Sequence, residues 1–445
     1  MTSTATASQP PAAVWKPPSL RPPEAHWDLA FLGLLLYLLI DFTRLPAMFP
    51  FLEGWQTAKI AVALSAVGLL MAPPPAANSS ESGRADMAVM GFMSASIVAT
   101  ILARFQTQAW AALFDTFRWG VIYLLVSRVL SNAWRLRVFG LFYILLNFKL
   151  AQFCIRTYMH GRSLGVSEED LARGLGAGST GWFGNSNDFG VAMCVAWPIA
   201  GFLIPIETSK FWRWVLIAAF VTIFGGLLLS GSRGSLLGAA ATAVVVWIRN
   251  PRRLVGPVMA ALLLIGGYFL MPQANKERVL SAIHYKQDAN AEIRLRLWRA
   301  GMEMFQDHPF FGVGPRNFAE YYARSYGKDD PHPAAWAPHS IYIQATAELG
   351  LLGTIPFLLL VFLLFWLNSQ TMKRCPLRKG SSENRQQYYL ALGLNAALAA
   401  YLVNGATITV LYYPYLWILA GLTVALHRVA TSKLQAGPQP PVAAL

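Results

Sequence analysis

The chain has 445 residues, of which 55% are hydrophobic and only 13% are charged. Soluble domains carry roughly 25% charged residues, so this composition excludes an ordinary soluble enzyme. The formal net charge of +14 would suit a nucleic-acid-binding protein. The basic residues, however, lie at the ends of apolar segments, where they indicate membrane topology rather than a nucleic-acid partner.

Apolar segments long enough to cross a bilayer recur along the chain, since one span needs about 20 such residues. Their apolarity is continuous rather than alternating, which favours helices over a β-barrel. We therefore predict an all-α polytopic membrane protein with about 12 transmembrane helices, two of the weaker segments being compatible with re-entrant structure as well. The segments are 28–44, 54–72, 86–104, 109–130, 134–156, 187–206, 211–230, 234–248, 254–271, 345–369, 387–407 and 411–427.

Basic residues occupy every second connection, as the positive-inside rule requires, which predicts that both termini are cytoplasmic. These residues are Lys16, Arg21, Arg84, Arg128, Arg135, Arg137, Lys210, Arg213, Arg249, Arg252, Arg253, Lys373, Arg374, Arg378, Lys379, Arg385, Arg428 and Lys433. The first apolar stretch is expected to act as an uncleaved insertion signal. The predicted organisation is a disordered cytoplasmic N-terminus (1–27), helices 1–9 (28–271), a large outer loop with amphipathic helices (272–344), helices 10–12 (345–427) and a cytoplasmic tail (428–445).

The first polar region with chemical potential is the outer loop at about 157–186. Arg156 and Arg162 stand near its start, and a Gly/Ser/Asn-rich run leads out of it to Asn187. Guanidinium and amide groups suit sugar ligands, so these three residues are candidate substrate contacts. Asn187 has an alternative role as the N-cap of the next helix.

Arg233 lies in the tight turn Ser230-Gly231-Ser232-Arg233-Gly234-Ser235 between two apolar segments, on the side of the membrane where positive charge is disfavoured. One explanation is a snorkelling anchor at the membrane edge. The other is a phosphate-binding arginine, assisted by free backbone N–H groups where the next helix begins.

Within the large loop, residues 291–307 have the periodicity of an amphipathic helix. One face carries Glu292, Arg296, Arg299 and Glu303, which we expect to be solvated and paired at i,i+4 spacing. The opposite face carries Ile293, Leu297, Ala300, Met304 and Phe305. Arg294 falls at the edge of that apolar face, one turn before Trp298. It is expected either to find a buried carboxylate or to bind an anionic ligand.

His339 precedes the helix that re-enters the membrane. A histidine there has a structural role as a cap, or a catalytic one, because a helix N-terminus disfavours the imidazolium and keeps the ring able to accept a proton. Glu348, deeper in the same helix, is a candidate for orienting loop groups or pairing with an arginine.

No metal site is predicted. The glycines in Asp307-His308-Pro309-Phe310-Phe311-Gly312-Val313-Gly314-Pro315 are interpreted as turns, because a lone Gly-x-Gly is a weak phosphate signal. Asp329-Asp330-Pro331-His332 is interpreted as a solvated turn, because the proline breaks helical ligand spacing. The cysteines, Cys154, Cys194 and Cys375, suggest neither a disulfide nor a thiolate metal site.

Together these motifs resemble the signature of the O-antigen ligase and O-antigen polymerase superfamily. The resemblance covers roughly residues 180–360 and rests on Ser232-Arg233-Gly234, Arg294-x-x-x-Trp298, the run Asp307–Gly314, His339-Ser340 and Glu348-Leu349-Gly350-Leu351-Leu352-Gly353. Individually these motifs are weak, and their order, spacing and placement on the outer side carry the identification.

The resemblance implies a glycosyltransferase of GT-C architecture in the bacterial inner membrane, working at the periplasmic face without a metal or a nucleotide cofactor. Its partners would be an undecaprenyl-diphosphate-linked glycan donor, a lipid A core acceptor and membrane lipid. The implied ligase transfers the glycan to a core sugar hydroxyl with inversion, using Arg233 and Arg294 on the diphosphate and His339 on the hydroxyl.

Related activities remain open at this point. They are an O-antigen polymerase, which extends another lipid-linked repeat, and a protein O-oligosaccharyltransferase. The alternative from a different class is a lipid-linked glycan transporter. It is disfavoured because the middle turns of the apolar segments are nearly free of ionisable residues and no inverted internal repeat is evident.

Overall fold

The computed structural model describes residues 27–71, 80–177, 179–180, 183–249, 265, 268–269, 272–280, 289–328, 330, 336–377 and 381–435. Every regular element in these ranges is a helix. The ninth predicted apolar segment lies almost entirely outside the described residues, as do the N-terminal segment and the end of the C-terminal tail.

The longer helices include those that overlap the predicted apolar segments and those in the polar regions, at 168–174, 273–280 and 289–307. They are α1 (Leu29–Thr43), α2 (Thr57–Met71), α3 (Ser80–Leu102), α4 (Gln106–Val129), α5 (Ala133–Ser163), α6 (Glu168–Gly174), α7 (Ser186–Leu203), α8 (Lys210–Leu229), α9 (Arg233–Arg249), α10 (Gln273–Leu280), α11 (Ala289–Asp307), α12 (Ile341–Arg374), α13 (Ser382–Gly405) and α14 (Pro414–Gln435). Short helical turns cover Leu45–Met48, Pro50–Trp55, Ile204–Ile206, Phe318–Tyr321 and Tyr322–Tyr326.

Six of these helices, α3, α4, α5, α7, α8 and α12, are long and apolar enough to cross a membrane, and α1 and α2 are shorter apolar helices. The prediction of a helical, polytopic membrane protein is therefore confirmed, while the number of twelve spans stays a prediction. Inside the bundle, α13 is a central helix that packs against α7, α9, α12 and α14.

The longest helix, α12, is interrupted at Gly350, whose backbone has φ 59° and ψ −159°. Residues 309–314 lie in the break and bond to both sides of it: Val313 N donates to Ala347 O (2.9 Å), Gly314 N to Glu348 O (3.0 Å), Leu351 N to Pro309 O (2.8 Å) and Leu352 N to Phe310 O (3.1 Å). Irregular backbone inside a membrane protein is tolerated only where such partners exist.

Glycines make this close approach of two backbones possible. A Cβ on Gly312 would lie 2.4 Å from the carbonyl carbon of Glu348, and one on Gly350 would lie 2.5 Å from that of Phe310. Gly312 is a turn position, as predicted, with a left-handed φ of 67°. The close contact at Gly350 was not predicted, and it makes the two motifs one backbone joint.

At one end of the bundle, buried or half-buried arginines are paired with carboxylates. Arg137 donates twice to Glu207, at 2.7 and 2.8 Å. Asp86 accepts from Arg128 at 3.0 Å and from Arg428 at 2.7 Å, and Glu81 lies 2.7 Å from Arg374. The pairs of Glu81 and Asp86 join the start of α3 to the ends of α4 and α12 and to the C-terminal half of α14, and the pair of Arg137 and Glu207 joins the start of α5 to the residue after the turn Ile204–Ile206. We call this end, defined by these residues, the basic end.

Candidate active site

Two adjoining cavities lie at the other end of the bundle, where α7, α9 and α12 begin. The first has a volume of about 450 Å³ and the second about 420 Å³. Ile408 lines both cavities. Residues close together in the chain line different cavities. Asn187 and Thr407 line the first cavity, whereas Asp188 and Thr409 line the second. The start of α7 and the loop between α13 and α14 therefore form a shared wall between the two spaces.

The first space, which we call the arginine cavity, carries two cationic side chains. Its described lining consists of Asn187, Gly231, Ser232, Arg233, Gly234, Ala291, Arg294, Leu295, Trp298, Thr407 and Ile408. All of the other residues in this set are neutral. Arg233 is the first residue of α9, so its guanidinium lies beside a helix N-terminus, and both features favour an anion. Arg294 and Trp298 are one turn apart on α11 and share a face.

The turn that precedes Arg233 is held in place by a contact from the large loop. Gly231 adopts a left-handed backbone with φ 59°. Asn275 of α10 donates through Nδ2 to the backbone oxygen of Leu229 at 2.9 Å, and a Cβ on Gly231 would lie only 2.4 Å from the Asn275 side chain. Sequence reasoning missed Asn275, because nothing local distinguishes it from other polar residues of the loop.

Asn187 is not the N-cap of α7. The cap is Asn185, whose side-chain oxygen accepts from the backbone N–H groups of Asn187 (2.8 Å) and Asp188 (3.2 Å). The N-cap interpretation of Asn187 was therefore wrong, and the Asn187 side chain lines the arginine cavity instead. Its role in binding substrate stays a prediction.

The second space, which we call the carboxyl cavity, contains His339 and two buried acidic residues. Its described lining consists of Gln108, Asn185, Asp188, Arg316, Phe318, Ala319, Ala337, Pro338, His339, Gln344, Glu348, Ile408, Thr409, Tyr412 and Tyr413. The structure thus brings Arg233 and Arg294 together in one cavity, and it places His339 and Glu348 across the shared wall rather than in the same cavity.

His339 is held in an unusual backbone conformation. Its φ of 48° is left-handed, which is uncommon for a residue other than glycine. Its backbone N–H donates to Thr409 Oγ1 at 2.9 Å, and the preceding carbonyl, of Pro338, accepts from Trp298 Nε1 at 3.1 Å. Ser340, not His339, caps α12. Trp298 of the arginine cavity and Thr409 of the loop before α14 therefore both hold the backbone from which the imidazole extends.

The His339 ring is neutral at physiological pH. Burial, and then the positive charge of Arg294, lower the pKa of His339 from 6.5 to about 4. The sequence predicted a neutral ring from the helix N-terminus, whereas the causes in the structure are burial and the charge of Arg294. A neutral imidazole at this position can accept a proton from a hydroxyl group.

Tyrosines and backbone groups hold the two carboxyl groups of the second cavity. Glu348 accepts from Tyr412 Oη at 2.8 Å and from Gln344 Nε2 at 3.4 Å. Asp188 accepts from the backbone N–H of Gly184 at 2.7 Å and from Tyr413 Oη at 3.4 Å. The predicted apolar segment 411–427 contained both tyrosines, but α14 begins only at Pro414, so this predicted start was wrong. Pro414 was the available signal, because proline favours the first turn of a helix.

Arg156 and Arg162 lie elsewhere. Helix α5 continues to Ser163, so both arginines are exposed on its last turns rather than in the following loop. Arg162 lies 3.5 Å from Glu168, and neither arginine is among the described residues that line the two cavities. Their substrate-binding role stays a prediction.

The apolar face of α11 is confirmed, because Leu297, Ala300 and Met304 are buried. The polar face is only partly solvated. Arg296 lies 3.5 Å from Asp330, whose side chain is only 7% exposed and also accepts from Tyr322 Oη at 2.8 Å. The solvated-turn interpretation is therefore wrong for Asp330, while Asp329, Pro331 and His332 lie outside the described residues. Among the described residues, no group of three or more His, Cys, Asp or Glu side chains could hold a metal ion.

Comparison with known proteins shows that part of the chain matches a protein family. Residues 218–358 match the family model described as O-Antigen ligase, which confirms the resemblance over that range. Members of this family are glycan-transferring enzymes. The matched range contains Arg233, Arg294 and His339, whereas Asp188 precedes it and Tyr413 follows it. No curated protein sequence matches the chain.

Proposed function

We propose that the chain, which carries an O-antigen ligase domain over residues 218–358, transfers a glycan from undecaprenyl diphosphate to a sugar hydroxyl of the lipid A core. The reaction would take place at the periplasmic face of the bacterial inner membrane. The supporting observation is that a cavity lined by Arg233 and Arg294 shares a wall with a cavity lined by neutral His339.

The donor diphosphate is assigned to the arginine cavity. Cleavage of the bond between sugar and phosphate leaves negative charge on the departing diphosphate. Arg233 and Arg294 would stabilise that charge, and fixed donors of this kind are typically worth several kcal/mol in a partly dry site. Trp298 supplies an apolar surface beside them. Its hydrogen bond to the Pro338 carbonyl also fixes the distance between this cavity and the backbone of His339.

The acceptor hydroxyl is assigned to His339. Its oxygen attacks the anomeric carbon of the donor sugar, the bond from that carbon to the diphosphate breaks, and the hydroxyl proton passes to the imidazole. General-base assistance of this kind contributes about 10²–10⁴-fold. A single displacement inverts the anomeric carbon, a feature that comes from the family resemblance.

The distribution of charge supports the orientation. The arginines predicted to be cytoplasmic, such as Arg137 and Arg374, lie at the basic end, and both cavities lie at the opposite end. With the basic end in the cytoplasm, as the positive-inside rule favours, the cavities face the periplasm.

The test is to incubate the purified protein with undecaprenyl-diphosphate glycan and lipid A core. Glycan attached to the core identifies a ligase. Longer lipid-linked glycan without core product would identify a polymerase, a glycosylated protein would identify an oligosaccharyltransferase, and no transfer at all would contradict the proposal. We favour the ligase because the chain has one large outer loop, at 272–344, rather than two comparable ones.

The assignment of His339 has its own test. We expect His339→Ala to lose turnover while keeping the affinity for the donor lipid, with His160→Ala, an exposed histidine on α5, as the matched control. If His339→Ala no longer binds the donor lipid, His339 is a donor-binding residue and another group must serve the acceptor hydroxyl.

A further inference from the structure

We propose that the carboxyl cavity is a subsite for an uncharged sugar ring at the end of the acceptor, with Asp188 and Tyr413 as specificity-determining residues. This inference rests on the proposed function, because it assigns to the acceptor the cavity that adjoins the donor arginines. Neither residue lies in the range that matches the family model.

The size and chemistry of the cavity fit such a ligand. Its volume of about 420 Å³ lies within the range of small-ligand sites, about 300–1,000 Å³. Its described lining mixes amides, hydroxyl groups and carboxyl groups with aromatic rings and Ile408. Sugar rings present hydroxyl groups at their rims and C–H groups on their faces, and this mixture complements both.

The polar groups are held before any ligand arrives. Asp188 is buried, with 3% of its surface exposed, and the backbone N–H of Gly184 and the Tyr413 hydroxyl fix its carboxyl group. The Tyr415 hydroxyl in turn holds the backbone oxygen of Asp188 at 2.9 Å. A site with hydrogen-bonding groups fixed in this way discriminates strongly against a ligand that cannot match them.

Charge separates the two cavities. Both described cations of the arginine cavity, Arg233 and Arg294, can face a diphosphate. In the carboxyl cavity the described arginine, Arg316, already lies 2.9 Å from Asp115, and Asp188 and Glu348 contribute carboxyl groups. A phosphate or uronate group there would face these carboxyl oxygens beside an arginine that is already paired, which disfavours it. The diphosphate is thereby directed to one cavity and a neutral sugar to the other.

The position of Asp188 ties this selection to the reaction. Asn187 and Asp188 are consecutive residues of α7 that line the arginine cavity and the carboxyl cavity respectively, and His339 lines the same cavity as Asp188. A sugar bound to Asp188 and Tyr413 therefore occupies the cavity in which His339 can meet one of its hydroxyl groups.

The experiment compares two acceptors that differ only in the terminal sugar, a neutral core oligosaccharide and its phosphorylated counterpart. It measures the equilibrium affinity of the purified protein for each, and the KM for acceptor and for donor in transfer. We expect wild type to prefer the neutral acceptor. Asp188→Asn and Tyr413→Phe should each weaken neutral-acceptor binding by about tenfold or more and leave the donor KM unchanged. Asp170→Asn, an exposed acidic residue on α6, is the matched control.

Tyr413→Phe preserves the shape of the side chain, so it remains informative if Asp188→Asn fails to fold. The subsite is overturned if both variants keep wild-type acceptor affinity, if the donor KM changes instead, or if wild type prefers the phosphorylated acceptor. The binding assay needs no turnover. Normal acceptor binding without any transfer therefore contradicts the proposed function alone, whereas transfer with unaltered acceptor affinity in both variants contradicts the subsite alone.

Discussion

The two ends of the helical bundle use arginine differently. At the basic end, Arg137 and Glu207 form a doubly bonded pair in which less than 10% of either side chain is exposed. At the site end, Arg233 and Arg294 line a cavity whose other described residues are neutral. The presence of an arginine in a membrane protein therefore does not by itself indicate its role. The role depends on which groups the fold brings next to the guanidinium.

The backbone differs between the two ends as well. Arg316 and His339, which both line the carboxyl cavity, have left-handed φ values of 54° and 48°. Residues in such conformations cost of order 1–3 kcal/mol each, and they persist where the surrounding structure holds them. None of the residues that form the ion pairs of the basic end is among the described left-handed residues. At the site end, both residues in this conformation carry side chains that line the carboxyl cavity.

The largest contrast is expected from the cavity arginines. Arg294→Ala and Arg233→Ala should each lower the transfer rate by at least about 10²-fold, because each removes one donor to the leaving diphosphate, while the thermal unfolding midpoint stays near that of wild type. The control is Arg299→Ala, because Arg299 is exposed on the same helix as Arg294. Normal transfer by either variant would remove that arginine from the mechanism.

The opposite result is expected at the basic end. Arg137→Ala should cost about 3–5 kcal/mol of stability, because it leaves Glu207 buried without its partner, whereas the transfer rate per folded molecule should not change. The double variant Arg137→Met with Glu207→Leu should recover most of the unfolding midpoint. A transfer defect in that stable double variant would show that the two ends are coupled.

A pH profile separates His339 from an ordinary histidine. Because its folded-state pKa is about 4 and its usual value is 6.5, transfer should hold constant through pH 6 and fall only as pH approaches 4. The unfolded chain binds the proton first, so the stability contributed above pH 6.5 is lost as pH falls from 6.5 to 4. In His339→Gln, the unfolding midpoint should depend less on pH between 6.5 and 4 than it does in wild type. A transfer rate that titrates near pH 6.5 would contradict the assignment.

The smallest effect concerns the outer face of α11. Arg296→Gln should cost up to about 1 kcal/mol through its pair with Asp330, and Arg299→Gln should cost nothing measurable. Thermal unfolding of the two single variants compares them directly. Equal midpoints would mean that the pair with Asp330 contributes no stability, and a large loss of transfer would mean that this face contacts substrate.

Much of the fold could be predicted from the sequence, because continuous apolar runs and basic connections are local properties. The same holds for the apolar face of α11, and for the choice of Arg233 and Arg294 as candidates, because positive charge on the predicted outer side of the membrane required an explanation. The helix ends were less predictable. α5 runs past 156 to Ser163, and this extension removed Arg156 and Arg162 from the predicted loop.

The second cavity could not be predicted, because its contacts join remote parts of the chain. Tyr413 bonds to Asp188 across 225 positions, and Asn275 reaches back 46 positions to Leu229. No periodicity encodes such pairs. His339 was a candidate from the sequence, yet its left-handed backbone and the bond from Trp298 to the preceding carbonyl depend on tertiary packing alone.

The break in α12 has a consequence for how this protein is assembled and engineered. Residues 309–314 precede α12 in the chain, so with the proposed topology they are already exported when that helix enters the bilayer. They are then available to complete its hydrogen bonding at Gly350. The exported segment is thus structurally part of the membrane helix. A chimera that exchanges the helix without 309–314, or the loop without 341–352, would separate two halves of one backbone ladder, so the smallest transplantable module runs from 309 to 352.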